Sequence, residues 1–309
     1  MRTLKGLVAG ITAALILLTG AAPASAIVGG SDAASAYPSI VSIQEQQPDG
    51  TFTHSCHAVV YRDHGEIGLA TAAHCLTTPD GRTLLVTQIR LSVGSNLRDG
   101  GRIVRVKRLT VKPGWDWAAP GPDGNPDEVD DLAVLIPADT RGLHPIDITD
   151  RTDATQVRLL GWGSTTATGE GPLPQRLQQL DGSTIVDPSN CASVLISAGE
   201  VCVQSPAGTG PCDFDGGSPA LVRVHGVWAV LGIASRQEGH ICGTGPSVYT
   251  SLSYFLSWLK RALTCRSTSP IDQHQVAPAH SHSDMFQLVA RTRAAAPAAE
   301  RRDKYELMG

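Results

Sequence analysis

His74, in the run Thr71-Ala72-Ala73-His74-Cys75, carries a side chain that titrates near neutrality. It could take a proton from a hydroxyl and return it to a leaving amine, provided a buried carboxylate fixes its tautomer and stabilises its charged form. Asp130 and Asp131 compete for that second role, and the apolar run Leu132-Ala133-Val134-Leu135 begins directly after Asp131. Downstream, the segment Cys212-Asp213-Phe214-Asp215-Gly216-Gly217-Ser218-Pro219 carries one hydroxyl, that of Ser218. A base, its orienter and a serine, in that chain order, are the parts of a nucleophilic acyl transfer.

The elements that must position these groups read as short strands. Between Ile27 and about Ser253, runs such as Ser39-Ile40-Val41-Ser42-Ile43 and Gly101-Arg102-Ile103-Val104-Arg105-Val106 alternate or cluster β-branched residues, with Gly, Pro, Asp and Asn between them. Many short strands over more than two hundred residues suit a sandwich or a pair of barrels. One helix is expected late, over residues 254–264, with Phe255, Leu256, Trp258, Leu259 and Leu263 largely on one side. From Arg266 to Gly309 the chain is Ser, Pro, His, Gln, Ala and charge, and reads as a disordered tail.

Residues 1–26 read as a signal peptide: Arg2 and Lys5 form the charged start, Val8 to Leu18 the apolar run, and Ala24-Ser25-Ala26 the cleavage site. The apolar run is too short to span roughly 30 Å of hydrocarbon, so a secreted protein, with no membrane association after cleavage, is expected. With 29 acidic against 25 basic residues, the balance gives no field that would suggest nucleic acid as a partner. Export permits disulfides among Cys56, Cys75, Cys191, Cys202, Cys212, Cys242 and Cys265, an odd number that leaves one over. No two cysteines are spaced like zinc ligands, and His274, His280 and His282 lie in a tail without preorganisation, so no metal and no cofactor are expected.

The three motifs above, together with Ile27-Val28-Gly29-Gly30, Gly161-Trp162-Gly163 and Pro246-Ser247-Val248-Tyr249-Thr250, all in the same order, resemble the trypsin and chymotrypsin family of serine proteases over about Ile27 to Leu263. The resemblance implies an all-β fold of two six-stranded antiparallel barrels, about 27–145 and 146–253, with a C-terminal helix, in a domain spanning 27–265. It implies His74 as base and Asp131 as orienter, and the disulfides Cys56 with Cys75, Cys191 with Cys202, and Cys212 with Cys242. Cys265 is then free or pairs two chains. It further implies an activation pair, in which the ammonium of a terminal Ile27 meets the carboxylate of Asp215. The predicted signal cleavage falls just before Ile27.

The same resemblance exposes departures. The family's loop reads Cys-x-Gly-Asp-Ser-Gly-Gly-Pro, so Gly216 holds the nucleophile position and has no side chain to attack with. Ser218 follows Asp215 by three residues, and at about 3.3 Å per residue a shift of two positions exceeds the reach of a serine-to-imidazole hydrogen bond. Phe214 replaces the glycine whose amide, with that of residue 216, would form the oxyanion site. In the specificity pocket Gly210 stands where trypsin-like members keep a carboxylate, and Ser235-Arg236-Gln237 replaces Ser-Trp-Gly, so cleavage after Lys or Arg is not supported. His57 stands where the family usually has glycine. The expectation is an exported serine protease homologue, catalytically impaired, that binds polypeptide in its cleft; the rival is an active serine endopeptidase using Ser218.

Overall fold

The computed structural model describes residues 27–115, 130–194, 196–239 and 241–264. The predicted signal peptide, Cys265 and the histidine-bearing tail lie outside the described residues.

Six strands close the first barrel: β2 (Ile40–Gln46), β3 (Phe52–Asp63), β4 (Glu66–Thr71), β5 (Ile89–Val93), β6 (Arg102–Val111) and β7 (Ala133–Pro137), in the spatial order β2-β3-β4-β7-β6-β5. Six more close the second: β8 (Val157–Gly161), β9 (Gln178–Val186), β10 (Glu200–Gln204), β11 (Pro219–Val224), β12 (Val227–Gln237) and β13 (Ser247–Ser251), with every pairing antiparallel. The short β1 (Ser31–Asp32) attaches to β9 through Ser31 and Gln179. The fold is therefore all-β, two closed six-stranded antiparallel barrels followed by the helix α1 (Leu256–Thr264).

The two-residue period of a strand assigns each apolar side chain to one of two cores. Val41, Ile43, Ala58, Val60, Val104, Val106, Ala133 and Leu135 point into the first barrel. Their neighbours of opposite parity, Ile40, Val59, Tyr61 and Val134, face outward and meet Leu160, Leu221, Val230 and Ile233 of the second barrel in a shared layer. Helix α1 seals that layer with Leu259, Ala262 and Leu263, and the Tyr61 hydroxyl donates to the Leu259 carbonyl. The helix starts at Leu256 because Ser251 takes the preceding turn: its hydroxyl accepts from Tyr254 N–H and its carbonyl from Phe255 N–H. The second barrel's interior holds Val157, Leu159, Val201, Val203, Ala220, Val222, Tyr249 and the side chain of Ile27. No helix among the described residues is long and apolar enough to cross a membrane.

Candidate active site

Strands β4 and β7 are antiparallel neighbours with Thr71 opposite Ala133, so the residues just after β4 and just before β7 emerge at the same end of the first barrel. His74 lies on the single 3-10 turn Ala73–Cys75 that follows β4, and Asp131 precedes β7. Asp131 Oδ1 accepts the His74 backbone N–H at 2.9 Å, and Oδ2 accepts the ring Nδ1–H at 2.8 Å. With the proton on Nδ1, the basic lone pair is on Nε2. Asp130 instead pairs with Lys112.

The second barrel adds a donor. Strand β12 has a bulge between Ala234 and Arg236, which leaves Ser235 without a ladder partner and free to turn toward the first barrel. Its hydroxyl donates to Asp131 Oδ2 at 2.6 Å, and the Thr250 hydroxyl donates to the Asp131 carbonyl. Burial would raise the Asp131 carboxyl, but the charge of His74 and the hydrogen bonds from His74 and Ser235 outweigh it and hold the group below the ordinary carboxylate range.

Gly216 and Ser218, the two candidates for the group opposite the imidazole, differ in what they offer. A Cβ built on Gly216 would lie 2.2 Å from His74 Nε2 and 3.2 Å from Cys56 Sγ, so the imidazole has settled into the volume a side chain would need. Ser218 Oγ is buried, with the residue 1% exposed, and has no hydrogen-bond partner among the described residues. Its backbone is fixed by Ser218 N–H to the Asp215 carbonyl and Ala234 N–H to its own carbonyl. Gly217 between them, at φ 71°, leaves no room for a side chain: a Cβ there would stand 2.3 Å from the His57 carbonyl oxygen.

Phe214 adopts φ 71°, a left-handed conformation that glycine takes freely and phenylalanine takes at a cost of about 1–3 kcal/mol. Its carbonyl accepts His54 Nε2–H at 3.3 Å, and the Ser42 hydroxyl donates to His54 Nδ1. His57 is fully buried; its backbone N–H donates to the Gly216 carbonyl and its Nε2 accepts the Trp162 N–H at 2.8 Å, with the ring stacked on the indole. Desolvation, and for His57 the neighbouring imidazole, keep both rings neutral; His54 is pushed down to about 3. His57 thus ties the Cys212–Pro219 loop to the Gly161–Gly163 segment, and His54 braces Phe214.

Asp215 accepts Gly163 N–H on Oδ1 and Cys212 N–H on Oδ2. A Cβ on Gly161 would fall 2.0 Å from Oδ1, so glycine is needed for the carboxylate to lodge there. Burial raises this carboxyl to about 7. Ile27 is fully buried, and Val28 bridges to Gly210.

Three disulfides form among the described residues: Cys56–Cys75 beside His74, Cys191–Cys202, and Cys212–Cys242 between the loop before β11 and the segment after β12. Gln237 Nε2 lies 3.1 Å from Cys242 Sγ. Arg236 turns to Glu200, an intermediary that sequence reading missed: Glu200 sits on β10, on the far side of β13, and its carboxylate accepts both guanidinium nitrogens, at 2.6 and 2.8 Å, plus the N–H and hydroxyl of Ser197. Cys56, His74 and Cys75 could group around a metal, but both sulfurs are committed to the disulfide.

Residues 27–259 match the family model described as Trypsin. Chymotrypsin-like elastase family member 1 of Macaca fascicularis is 26% identical over 253 residues, covering 77% of this chain and 89% of that protein. Fibrinolytic enzyme, isozyme C, of Lumbricus rubellus is 27% identical over 240 residues, covering 70% of this chain and 92% of its own length. Phenoloxidase-activating enzyme 1 of Spodoptera litura is 26% identical over 251 residues, covering 74% and 64%. With the double barrel, the His74–Asp131 pair and the order of the loops already in place, the chain belongs to the trypsin family.

Proposed function

We propose that this protein is a secreted, catalytically impaired serine protease homologue that binds polypeptide in the cleft between its barrels. One observation carries the reading: His74 Nε2 faces Gly216 at a distance that leaves no place even for a Cβ. A base and orienter without a nucleophile lose most of the acyl-transfer rate, on the order of four to six powers of ten in related triads. The intact hydrogen bonding of the dyad, the braced oxyanion loop and the three disulfides support a maintained cleft. An active endopeptidase working through Ser218 is the rival. The buried hydroxyl with no bond to the imidazole weighs against it.

We infer further that removal of the segment before Ile27 frees an ammonium for Asp215. A carboxyl raised by burial to about 7 gains most from such a cation. The deciding experiment is hydrolysis of a peptide ester panel by the mature protein, with His74→Ala as background. Turnover at the background level, with gain in Gly216→Ser or Gly216→Ser/Ser218→Gly, supports the reading. His74-dependent turnover by the natural chain, with an organophosphate label mapping to Ser218, would overturn it.

A further inference from the structure

The bulge that frees Ser235 also sets the next residue, Arg236, beside it. Arg236 stands where the shared pattern Ser-Trp-Gly has tryptophan, so what it does here comes from the chain's own sequence. Its Nη1 is forked: it donates to Glu200 Oε1 at 2.6 Å and to the Ser235 hydroxyl oxygen at 3.3 Å, while Nη2 donates to Glu200 Oε2 at 2.8 Å. Ser235 Oγ in turn donates to Asp131 Oδ2 at 2.6 Å, the oxygen that also accepts His74 Nδ1–H at 2.8 Å. Four successive hydrogen bonds therefore run from β10 in the second barrel to the imidazole held by the first.

The polarity of the series is set by arginine. A guanidinium has no acceptor, so at this contact the Ser235 hydroxyl can only accept, and its single proton is left for Asp131. A hydroxyl that accepts from a cation also donates more strongly, because hydrogen bonds in series polarise one another. The far end is fixed as well. The Glu200 side chain is fully buried, and its carboxylate accepts the N–H and hydroxyl of Ser197 besides the guanidinium, which holds Arg236 in one place. Glu200 lies opposite Thr250 of β13, and the Thr250 hydroxyl donates to the Asp131 carbonyl, so the strand between the two ends is itself tied to the dyad. The opposite charges of Glu200 and Arg236 offset each other beyond their own contact, which leaves the Ser235 proton as the route by which the pair acts.

We infer that the Glu200–Arg236 ion pair is a positioning device for the dyad: through the Ser235 hydroxyl it sets how firmly Asp131 Oδ2 holds His74 Nδ1–H. Oδ2 is shared by two donors. A weaker bond from Ser235 leaves more of its electron density to His74, and a stronger one draws it away. Glu200 and Arg236 act only through Ser235 and Asp131, so both are positioning residues. The device concerns the dyad alone and operates whether or not the chain turns over a substrate.

The test is the nitrogen-15 resonance of His74 Nδ1 in mature protein labelled on histidine, read through the non-exchanging ring protons and assigned by its loss in His74→Gln. Removing one member of a buried ion pair strands the charge of the other, so the pair is replaced together, as Glu200→Gln/Arg236→Met. The Nδ1 resonance is then expected to move downfield, as for an N–H drawn more strongly to its acceptor. Ser235→Ala should move it in the same direction and at least as far. Combining all three changes should leave it where Ser235→Ala alone puts it, because they act on one path. Arg236→Lys keeps the cation for Glu200 without the planar fork that reaches Ser235 as well, and should also shift the resonance downfield, with no change in charge. Circular dichroism and intact disulfide mass confirm that each variant is folded, and the ring resonances of His54 and His57 should stay in place. A His74 Nδ1 resonance that neither Glu200→Gln/Arg236→Met nor Arg236→Lys moves would overturn the inference. So would a displacement that persists undiminished when Ser235→Ala is already present, or one shared by His54 and His57, since the pair would then act on packing and not through the hydroxyl.

Discussion

At the scale of single residues, the site departs from the family's loop pattern at two places, and the two are coupled through geometry. Gly216 brings no side chain to face His74, and the imidazole stands where a Cβ would go, so a serine placed there must push the His74 ring back while Asp131 still holds its Nδ1. Phe214 keeps a left-handed backbone at the position whose amide the proposed reading assigns to the oxyanion site. If the proposed impairment holds, Gly216→Ser alone is therefore expected to gain only part of a working protease's rate. Adding Phe214→Gly should raise kcat by at least about tenfold with KM little changed, because the donor acts on charge that develops only in the transition state. Peptide ester kinetics of the single and double variants check this, and an unchanged kcat would show that Phe214 already presents its amide correctly. His74 and Asp131 were legible in the sequence because each is flanked by its own motif. His54 was not: its partner carbonyl, at Phe214, lies 160 residues away, and no local pattern marks a histidine that reaches across that distance. Glu200 was hidden for the same reason, since it meets Arg236 only by flanking β13.

At the scale of elements, strands, bulge and loops explain how groups far apart in sequence converge. The alternation of Val41 and Ile43, or Val104 and Val106, announced strands, and the antiparallel register of β4 with β7 delivers His74 to Asp131 without further machinery. The bulge in β12 could not be read, because nothing in Ala234-Ser235-Arg236 marks which residue drops out of the ladder. The loop before β11 yields a pH prediction. In a chain whose Ile27 nitrogen is still an amide, Asp215 is raised by burial to about 7 from an ordinary value of 3.8. Below about pH 4 both the folded and unfolded carboxyls are protonated and nothing is lost. Between about pH 4 and 7 the unfolded chain releases its proton first, so stability falls as pH rises and levels off above 7. The loss amounts to about 4 kcal/mol at most, from roughly three units at 1.36 kcal/mol each. A chain beginning at Ile27 supplies an ammonium and should lose much less. Denaturation midpoints from pH 4 to 8 for a chain beginning at Ile27 and one beginning at Ser25 decide the matter, since the other titrating groups are common to both. Parallel curves would rule out the proposed activation pair.

At the scale of the whole molecule, the two barrels share a core as well as a site. Barrel closure and the number of barrels were not readable from alternation, which suits a sandwich equally well; they came from the family resemblance and are explained by the layer between the barrels. Ile40, Val59 and Val134 of the first barrel, Leu160, Val230 and Ile233 of the second, and Leu259 of α1 are all fully buried in that one layer. A domain whose two halves bury their outer faces only against each other has no reason to unfold one half at a time. Nor does the site, since the Ser235 hydroxyl of the second barrel completes the Asp131 environment of the first. Leu259→Ala removes a side chain from this layer at the point where helix, first barrel and second barrel meet, with an expected cost of about 2–5 kcal/mol. At about 2–4 °C per kcal/mol for a domain of this size, Tm should fall by roughly 4–20 °C in a single transition, with the calorimetric and van't Hoff enthalpies still equal. Two transitions, with only one of them shifted, would mean that the barrels are independent. The cleft would then be an interface that opens on its own, and the positions of His74, Asp131 and Ser235 would depend on docking rather than on folding.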